Sequence, residues 1–270
     1  MSFKTTVVVP CYNEADRLEA DAFEAFARET PDCRLLFVND GSTDSTQSQL
    51  ESLQSSQPDQ FAVLTLDQNR GKAEAVRLGL LEAMKASPTY VGFWDADLAT
   101  PLDAIPVFQN ILDQRPHLHL AVGSRVKLLG RKIDRTPFRH YAGRFFATCA
   151  SLVLKLPIYD TQCGAKIFRV TPIAKKVFAE PFTTTWIFDV ECMARYGEMV
   201  SDLSLEQIIY EIPLPQWKDV AGSKLKSGDF LKAAFELNKI RRTYRLGRKQ
   251  HASERSFFPI FGKRWLRKAS

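Results

Sequence analysis

The sequence predicts an α/β domain built on a mostly parallel sheet flanked by helices, and three observations carry that expectation. Five short apolar runs recur through the first half of the chain: TTVVVP (5–10), RLLFVND (34–40), FAVLTLD (61–67), TYVGFWD (89–95) and LHLAVGS (118–124). Segments of helical length and composition separate them, at 15–29, 43–56, 72–86 and 101–114. Turn-forming and acidic residues collect where the runs end, as Asn13-Glu14, Asp40, Asp67 and Asp95 with Asp97.

Each element has a local reason. The runs are apolar along their length, as strands of a sheet covered on both faces must be. The first ends at Pro10, and PCYNEADRL (10–18) then opens a helix with Glu14 near its start. The second ends in NDGSTDST (39–46), where Gly41 permits a tight turn and Ser42 or Thr43 can cap the next helix. The third passes through DQNRGKAEA (67–75), which sets Arg70 and Lys72 at the positive end of a helix, a place suited to phosphate oxygens. The fourth closes on GFWDADLATP (92–101). Residues two apart in an extended chain project to one side, so Asp95 and Asp97 would face each other unless the backbone turns between them. Strands alternating with helices imply right-handed crossovers, and in such sheets ligands gather at the carboxyl ends of the strands. The second half is less regular: a helix over 138–155, the word DTQCGAKIFR (160–169), a helical segment at 188–199, a strand at 207–213 and a last helix over 228–246. With no internal repeat or linker, residues 1–240 are expected to form one domain and 241–270 a tail.

Bulk properties exclude several classes. A chain of 270 residues with 45% hydrophobic content buries a substantial core. Its five cysteines form no C-x-x-C pair, which fits reduced thiols in the cytoplasm rather than a disulfide framework or zinc site. No run of 18 apolar residues is present, so no spanning helix is expected, and the first strand begins too early to leave room for a signal peptide. Residues 241–270 carry ten Lys and Arg against one Glu, a net +9 in a chain of net +6, leaving −3 for the rest. Phe257, Phe258, Phe261 and Trp265 stand among those cations, a mixture suited to a membrane surface. A solvated tail is the alternative; without a recognition module, nucleic acid is not an expected partner.

Neither G-x-x-x-x-G-K-[ST] nor G-x-G-x-x-G occurs, which removes the usual support for P-loop and dinucleotide-binding folds. The histidines have no metal-binding spacing. Ordinary turn and cap chemistry accounts for each strand end taken singly. Carboxylates and cations at four strand ends on one rim point instead to a nucleoside diphosphate bridged to Asp95 and Asp97 by Mg2+ or Mn2+.

VVVPCYNEADRL, VNDGSTDST, NRGKAEAVRLGL and DADLATP, in that order over about residues 5–125, resemble the successive motifs of family 2 glycosyltransferases with the GT-A fold. VGSR (122–125), DTQCGAKIF (160–168), WIFDVE (186–191) and WKDVAGSKLK (217–226) further resemble the branch that glucosylates dolichyl phosphate, close to the polyprenyl-phosphate hexose synthases. The resemblance implies that Pro10, Tyr12, Glu14, Asp40 and Lys72 hold the nucleoside and diphosphate, with Asp95 and Asp97 facing the metal. It implies an inverting transfer of hexose to a polyprenyl phosphate by a peripheral enzyme at the cytoplasmic membrane face. UDP-glucose is the expected donor and GDP-mannose the alternative. Two departures stand out from what the resemblance implies: Ala99 stands where many polyprenyl-phosphate mannose synthases have Gln, which would leave out a third side-chain metal ligand, and Asn39 replaces the first Asp of the usual Asp-Asp-Gly-Ser word, leaving Asp40 as the matching carboxylate.

A phosphate acceptor is already anionic, so positioning and cations matter more than a general base. Arg125, Arg135, Arg139, Arg144 and Lys166 are the expected cations, with Asp97, Arg125 and Asp189 expected at the reacting centre. In the competing reading Arg135, Arg139 and Arg144 line a solvated helix face. A hydroxyl acceptor would instead need Asp189 or Glu191 as base, although both can serve a structural role near a helix start. A third alternative is a non-catalytic protein that binds sugar nucleotides or a membrane. FFATCASLVLKL (145–156) is expected to be a largely buried helix.

Overall fold

The computed structural model describes residues 3–134, 136–200, 204–218 and 228–244, without the side chains of 137–139 and 228–231. Arg135, the side chain of Arg139, residues 219–227 of the WKDVAGSKLK word and the aromatic part of the tail therefore lie outside the described residues.

The first half alternates strand and helix as expected: β1 (Thr5–Cys11), α1 (Ala20–Glu29), β2 (Cys33–Asn39), α2 (Thr46–Ser56), β3 (Phe61–Thr65), α3 (Lys72–Lys85), β4 (Tyr90–Trp94), α4 (Ala104–Gln114) and β5 (Leu120–Ser124). There follow β6 (Lys132–Asp134), α5 (Pro137–Leu154), β7 (Ala165–Arg169), α6 (Pro172–Ala179), α7 (Phe188–Met199), α8 (Leu205–Ile208), β8 (Ile209–Pro213), β9 (Gln216–Lys218) and α9 (Gly228–Thr243). The helices after β1, β2 and β4 start several residues later than their composition implied; the loops after β1 and β2 are tied to each other, and the one after β4 turns on its own Asp95 and Asp97 instead of winding into helix.

Seven strands form one sheet in the order β3-β2-β1-β4-β7-β5-β8, and β6 pairs with β9 in a small second sheet. All pairings in the large sheet are parallel except those of β7, which runs antiparallel between β4 and β5. That strand, inside the DTQCGAKIFR word, was not anticipated. Its pairing of Phe93 with Lys166 and Trp94 with Ala165 delivers residues 160–166 to the carboxyl end of β4. The expected mixture of mostly parallel sheet and flanking helices is thus present, with this one reversal at its centre.

Side chains alternate between two apolar layers. Val7, Val9, Leu35 and Phe37 pack with α1, α2 and α4 on one face, and Val8, Leu36, Val38 and Phe93 with α3, α6 and α7 on the other. Gly79 of α3 allows close passage over the sheet, since a Cβ there would lie 2.5 Å from Val8 Cγ1. The expected domain boundary at 240 falls inside α9, and Tyr244 is buried in the same core, so the domain continues through at least that residue. α5 departs from its expected burial. Phe146, Ala150 and Leu154 face the core, whereas Tyr141, Phe145 and Leu152 are each more than 70% exposed (73%, 73% and 74%).

Candidate active site

The loops at the carboxyl ends of β1, β2 and β3 are laced together by side chains. Asn13, at a positive φ of 53°, accepts from Thr43 N at 2.8 Å, and its own amide donates to Ser42 Oγ at 3.1 Å. Glu14 N donates to Thr46 Oγ1 at 2.9 Å, and the Glu14 carboxylate pairs with Arg17 at 2.6 Å. Pro10 and Tyr12 line the same rim, half-buried. Asn39 turns the next loop by accepting from Ser42 N at 3.0 Å, and its amide donates from Nδ2 to Gln47 Oε1 at 2.5 Å, a bond that an ionised Asp could not make. Asp40 is buried, and its two oxygens accept from Arg70 N at 2.7 Å and Gly71 N at 2.8 Å. It therefore shapes the loop that precedes α3. Gly41 permits this approach: its φ is 65°, and a Cβ there would lie 2.5 Å from Asn69 N.

Lys72, the first residue of α3, reaches across to Asp95 and forms an ion pair with its carboxylate. The chain does turn between the two aspartates. Leu98 takes a positive φ of 50°, its amide donates to Asp95 O at 3.3 Å, and Asp97 Oδ1 accepts from Ala99 N at 3.1 Å. Burial and the neighbouring Asp95 charge raise the Asp97 carboxyl above the usual carboxylate range. On Lys72, desolvation works to lower the ammonium, but the charge and hydrogen bond of Asp95 together with the charges of Asp189 and Asp97 hold it up. Hard carboxylate oxygens converging at a half-buried turn, with one cation already drawn to them, fit Mg2+ or Mn2+ chemically. No cluster of three His, Cys, Asp or Glu suited to a metal occurs among the described residues, so water and substrate phosphates would complete the coordination.

Residues beyond β5 close the other side of this rim. Asp95 N donates to Gly164 O at 3.0 Å, and a Cβ on Gly164 would fall 1.9 Å from Asp95 Oδ2. The carboxylate lies against bare backbone. Lys166 is fully buried; its ammonium stands 2.6 Å from Asp189 Oδ1 and donates to Cys163 O at 2.6 Å. Its charge is answered inside the protein rather than presented to an incoming phosphate. Asp189, on the first turn of α7, feels Lys166, Lys72 and Asp95, yet burial dominates and raises its carboxyl. Burial likewise pushes the Cys163 thiol up to about 11, which makes it a poor nucleophile at neutral pH.

Arg125 donates from Nε at 2.6 Å and Nη2 at 2.8 Å to Asp160, and its guanidinium lies 5.3 Å from the Trp217 ring centre. Burial works to raise the Asp160 carboxyl, but the Arg125 charge together with hydrogen bonds from Arg125 and the Gln162 amide holds the carboxyl well below the usual range. Glu211 anchors the same loop, accepting from Tyr159 N at 2.9 Å and Asp160 N at 2.7 Å. Arg144 stacks 3.5 Å over Tyr159 and donates to Tyr159 O at 2.6 Å. The structure thus brings Lys72, Asp95, Asp97, Lys166 and Asp189 into one electrostatic cluster with Arg125 at its edge, and sets Asp40 one step behind it. Asp160, Gly164 and Glu211 were not singled out by the sequence. Asp160 lies 35 residues from its partner Arg125, and only the DTQCGAKIF word hinted that its neighbourhood matters.

Comparison with known proteins identifies the family and the fold. The family described as Glycosyl transferase family 2 matches residues 6–175. A dolichyl-phosphate beta-glucosyltransferase of Saccharomyces cerevisiae is 33% identical over 264 residues, covering 90% of this chain and 75% of that protein. One from Drosophila melanogaster is 34% identical, covering 83% and 70%. Among solved structures, glucosyl-3-phosphoglycerate synthase from Mycobacterium tuberculosis with UDP superposes at a TM-score of 0.60, with 17% identity, over 89% of this chain and 80% of that one. Its complex with Mn2+, UDP and glucosyl-3-phosphoglycerate gives a TM-score of 0.56 at 16% identity, over 89% and 76%. That likeness is one of fold and extends the GT-A architecture across the sheet. With family motifs on the rim and relatives matched over most of both lengths, the chain belongs to glycosyl transferase family 2 and is a nucleotide-sugar-dependent glycosyltransferase.

Proposed function

We propose that this enzyme transfers glucose from UDP-glucose to a dolichyl or related polyprenyl phosphate, with inversion at the sugar carbon. The relatives named for this reaction support the acceptor class. The observation that carries the reading is the state of the carboxylates a hydroxyl acceptor would need. Asp189 is paired with buried Lys166, and fully buried Glu191 accepts from Thr183, Thr184, Arg195 and Tyr244. Neither is disposed to take a proton from an incoming hydroxyl, and a phosphate acceptor requires no such step.

In this reading Asp95 and Asp97 hold Mg2+ or Mn2+, which supplies charge neutralisation to the departing nucleoside diphosphate. Lys72 lies beside these carboxylates at the start of α3, placed to trade its contact with Asp95 for a phosphate oxygen of the donor. Asp40 fixes the loop of Arg70 and Gly71 beneath that diphosphate. Pro10, Tyr12 and Glu14 border the nucleoside, and the laced loops after β1 and β2 keep that border rigid. Arg125, held by Asp160, and Arg144, stacked on Tyr159, are proposed to border the approach of the acceptor phosphate, and Arg135 and Arg139, whose side chains lie outside the described residues, are proposed as further cations for it. Lys166 contributes through Asp189 rather than by contact. Inversion follows from direct attack of the acceptor oxygen on the face opposite the leaving diphosphate.

The acceptor lies in a bilayer, and no helix among the described residues is long and apolar enough to cross one. The exposed stripe Tyr141, Phe145 and Leu152 on α5, with exposed Phe235 on the neighbouring α9, supports peripheral contact with a membrane surface, which we propose to be the cytoplasmic face. The basic aromatic tail is proposed to add electrostatic attraction.

Purified enzyme incubated with UDP-glucose or GDP-mannose, a divalent cation and either a short polyprenyl phosphate or a hydroxyl glycan tests the reading, with products identified by mass. Glucosyl phosphopolyprenol, formed only with UDP-glucose and suppressed by chelator, is expected. Glycan extension without lipid product overturns the acceptor assignment, and absence of both transfer and donor hydrolysis favours a binding protein.

A further inference from the structure

Asp189 sits two residues beyond Ile187, the residue that opens α7, and Ile187 makes no side-chain cap of its own. The amides that lead into this helix are satisfied from elsewhere in the fold. Glu236, in the middle of α9, accepts at Oε1 from Thr185 N and Thr185 Oγ1, both at 3.1 Å. At Oε2 it accepts from Trp186 N at 3.2 Å and Ile187 N at 3.1 Å. One carboxylate thus receives four hydrogen bonds from three consecutive residues at the positive end of a helix, where a negative charge is favoured by the aligned peptide dipoles.

The rest of the segment is gripped as well. Lys239, one residue short of a full turn beyond Glu236, donates to Thr183 O at 2.8 Å. From the opposite side Glu191 accepts from Thr183 N at 3.0 Å and Thr184 N at 2.8 Å, and Tyr244 at the end of α9 donates to Glu191 Oε1 at 2.8 Å. Residues 183–187 are therefore strung between α7 and α9, and Glu236 fixes the last three of them. Downstream, Asp189 meets Lys166 at 2.6 Å and shares the electrostatic cluster of Lys72 and Asp95.

We propose that Glu236 is a positioning residue for the reacting centre: by capping α7 from another helix it sets where Asp189 and Lys166 stand relative to Asp95. Its charge does not touch substrate. Without it three amides and a hydroxyl lose their shared acceptor, the first turn of α7 loosens, and the Asp189–Lys166 pair shifts against the metal-facing carboxylates. Misplacement of reacting groups by about 1 Å can lower a rate by about 10²-fold even when the altered residue is remote.

The test rests on the glucosyl transfer and the Asp189 placement proposed above, and uses full-length enzyme with UDP-glucose and a short polyprenyl phosphate. Glu236→Ala, Glu236→Gln, Asp189→Asn and the double variant Glu236→Ala/Asp189→Asn are compared. Glu236→Ala is expected to lower kcat by about 10²-fold while KM for UDP-glucose stays within about twofold and thermal unfolding remains cooperative. Glu236→Gln, which keeps one acceptor oxygen, should recover about tenfold of that loss. In the Asp189→Asn background Glu236→Ala should cost less than about twofold, because the route through Asp189 is already broken. A full multiplicative loss in the double variant, an unchanged kcat in Glu236→Ala, or an activity loss that merely tracks the unfolded fraction overturns the proposal. Full activity of Asp189→Asn overturns it together with the expected place of Asp189 at the reacting centre. If wild-type enzyme fails to use polyprenyl phosphate, the acceptor reading falls, and the same cycle measured on UDP-glucose hydrolysis still decides for or against Glu236.

Discussion

Gly164→Ala separates the fold from the chemistry at a single methyl group. A Cβ built at Gly164 stands 1.9 Å from Asp95 Oδ2, 2.2 Å from Cγ and 2.5 Å from Oδ1, so the whole carboxylate is in the way. Ordinary contact begins near 3.4 Å, which obliges Oδ2 to withdraw by about 1.5 Å. The obstacle is the end of a side chain rather than backbone, and the backbone at 164 is not in the left-handed region, so the fold can absorb the change. Alanine at the entry to β7 even recovers some conformational entropy, at most about 1 kcal/mol. The site cannot absorb it, because Asp95 must swing away from both Lys72 and the position shared with Asp97. A shift of that size costs about 10²-fold in kcat and weakens Mn2+ binding in parallel. Thermal unfolding, Mn2+ titration by electron spin resonance and transfer kinetics on one preparation check this. Normal Mn2+ affinity and turnover in a folded Gly164→Ala enzyme would refute the assignment of Asp95 to the metal and the rigidity ascribed to residues 160–166.

Four further outcomes are expected. Asp95→Asn and Asp97→Asn each lower turnover by about 10²-fold or more while the protein stays folded; near-normal, chelator-resistant activity in both counts against a metal there. Arg125→Ala leaves Asp160 buried without its cation and destabilises the fold by about 3–5 kcal/mol in denaturant titration, so a stability loss below 1 kcal/mol would show that the pair is dispensable. The Asp160 carboxyl has a folded value below its unfolded one, so its stabilisation is complete above about pH 4 and is lost as pH falls through the folded value. Asp160→Asn should accordingly flatten the acid limb of the stability curve, and an unchanged limb rejects that linkage. Asp40→Asn loses one of two charge-assisted bonds to the Arg70 and Gly71 amides, a loss of roughly 1.5–3 kcal/mol, and weakens UDP binding in calorimetry; unchanged affinity would detach that loop from the diphosphate.

The first half of the molecule was legible because its information is local. A strand buried on both faces is apolar along its length, and the turn after it needs Gly, Asn or Asp, so β1 to β5 and the rim residues Asp40, Lys72, Asp95 and Asp97 can be read along the chain. Charge partners obey no such rule. Arg125 reads as an exposed cation near a loop, and only folding brings it to Asp160; Lys166 reads as a phosphate ligand, and only its place in the antiparallel strand β7 buries it against Asp189. The helix of 145–156 reads as largely buried, and its packing decides that Phe146 and Leu154 enter the core while Phe145 and Leu152 face outward. Strand and turn identity are set by interactions among residues a few positions apart, and the sequence by itself determined these. The partner of a charged side chain is chosen by contacts 23 to 51 residues away, as between half-exposed Lys72 and Asp95, largely buried Arg125 and Asp160, or Thr185 and Glu236, and those were decided by the tertiary structure alone, because a charge drawn even partly out of water is stable only beside whichever opposite charge or amide dipole the fold brings near.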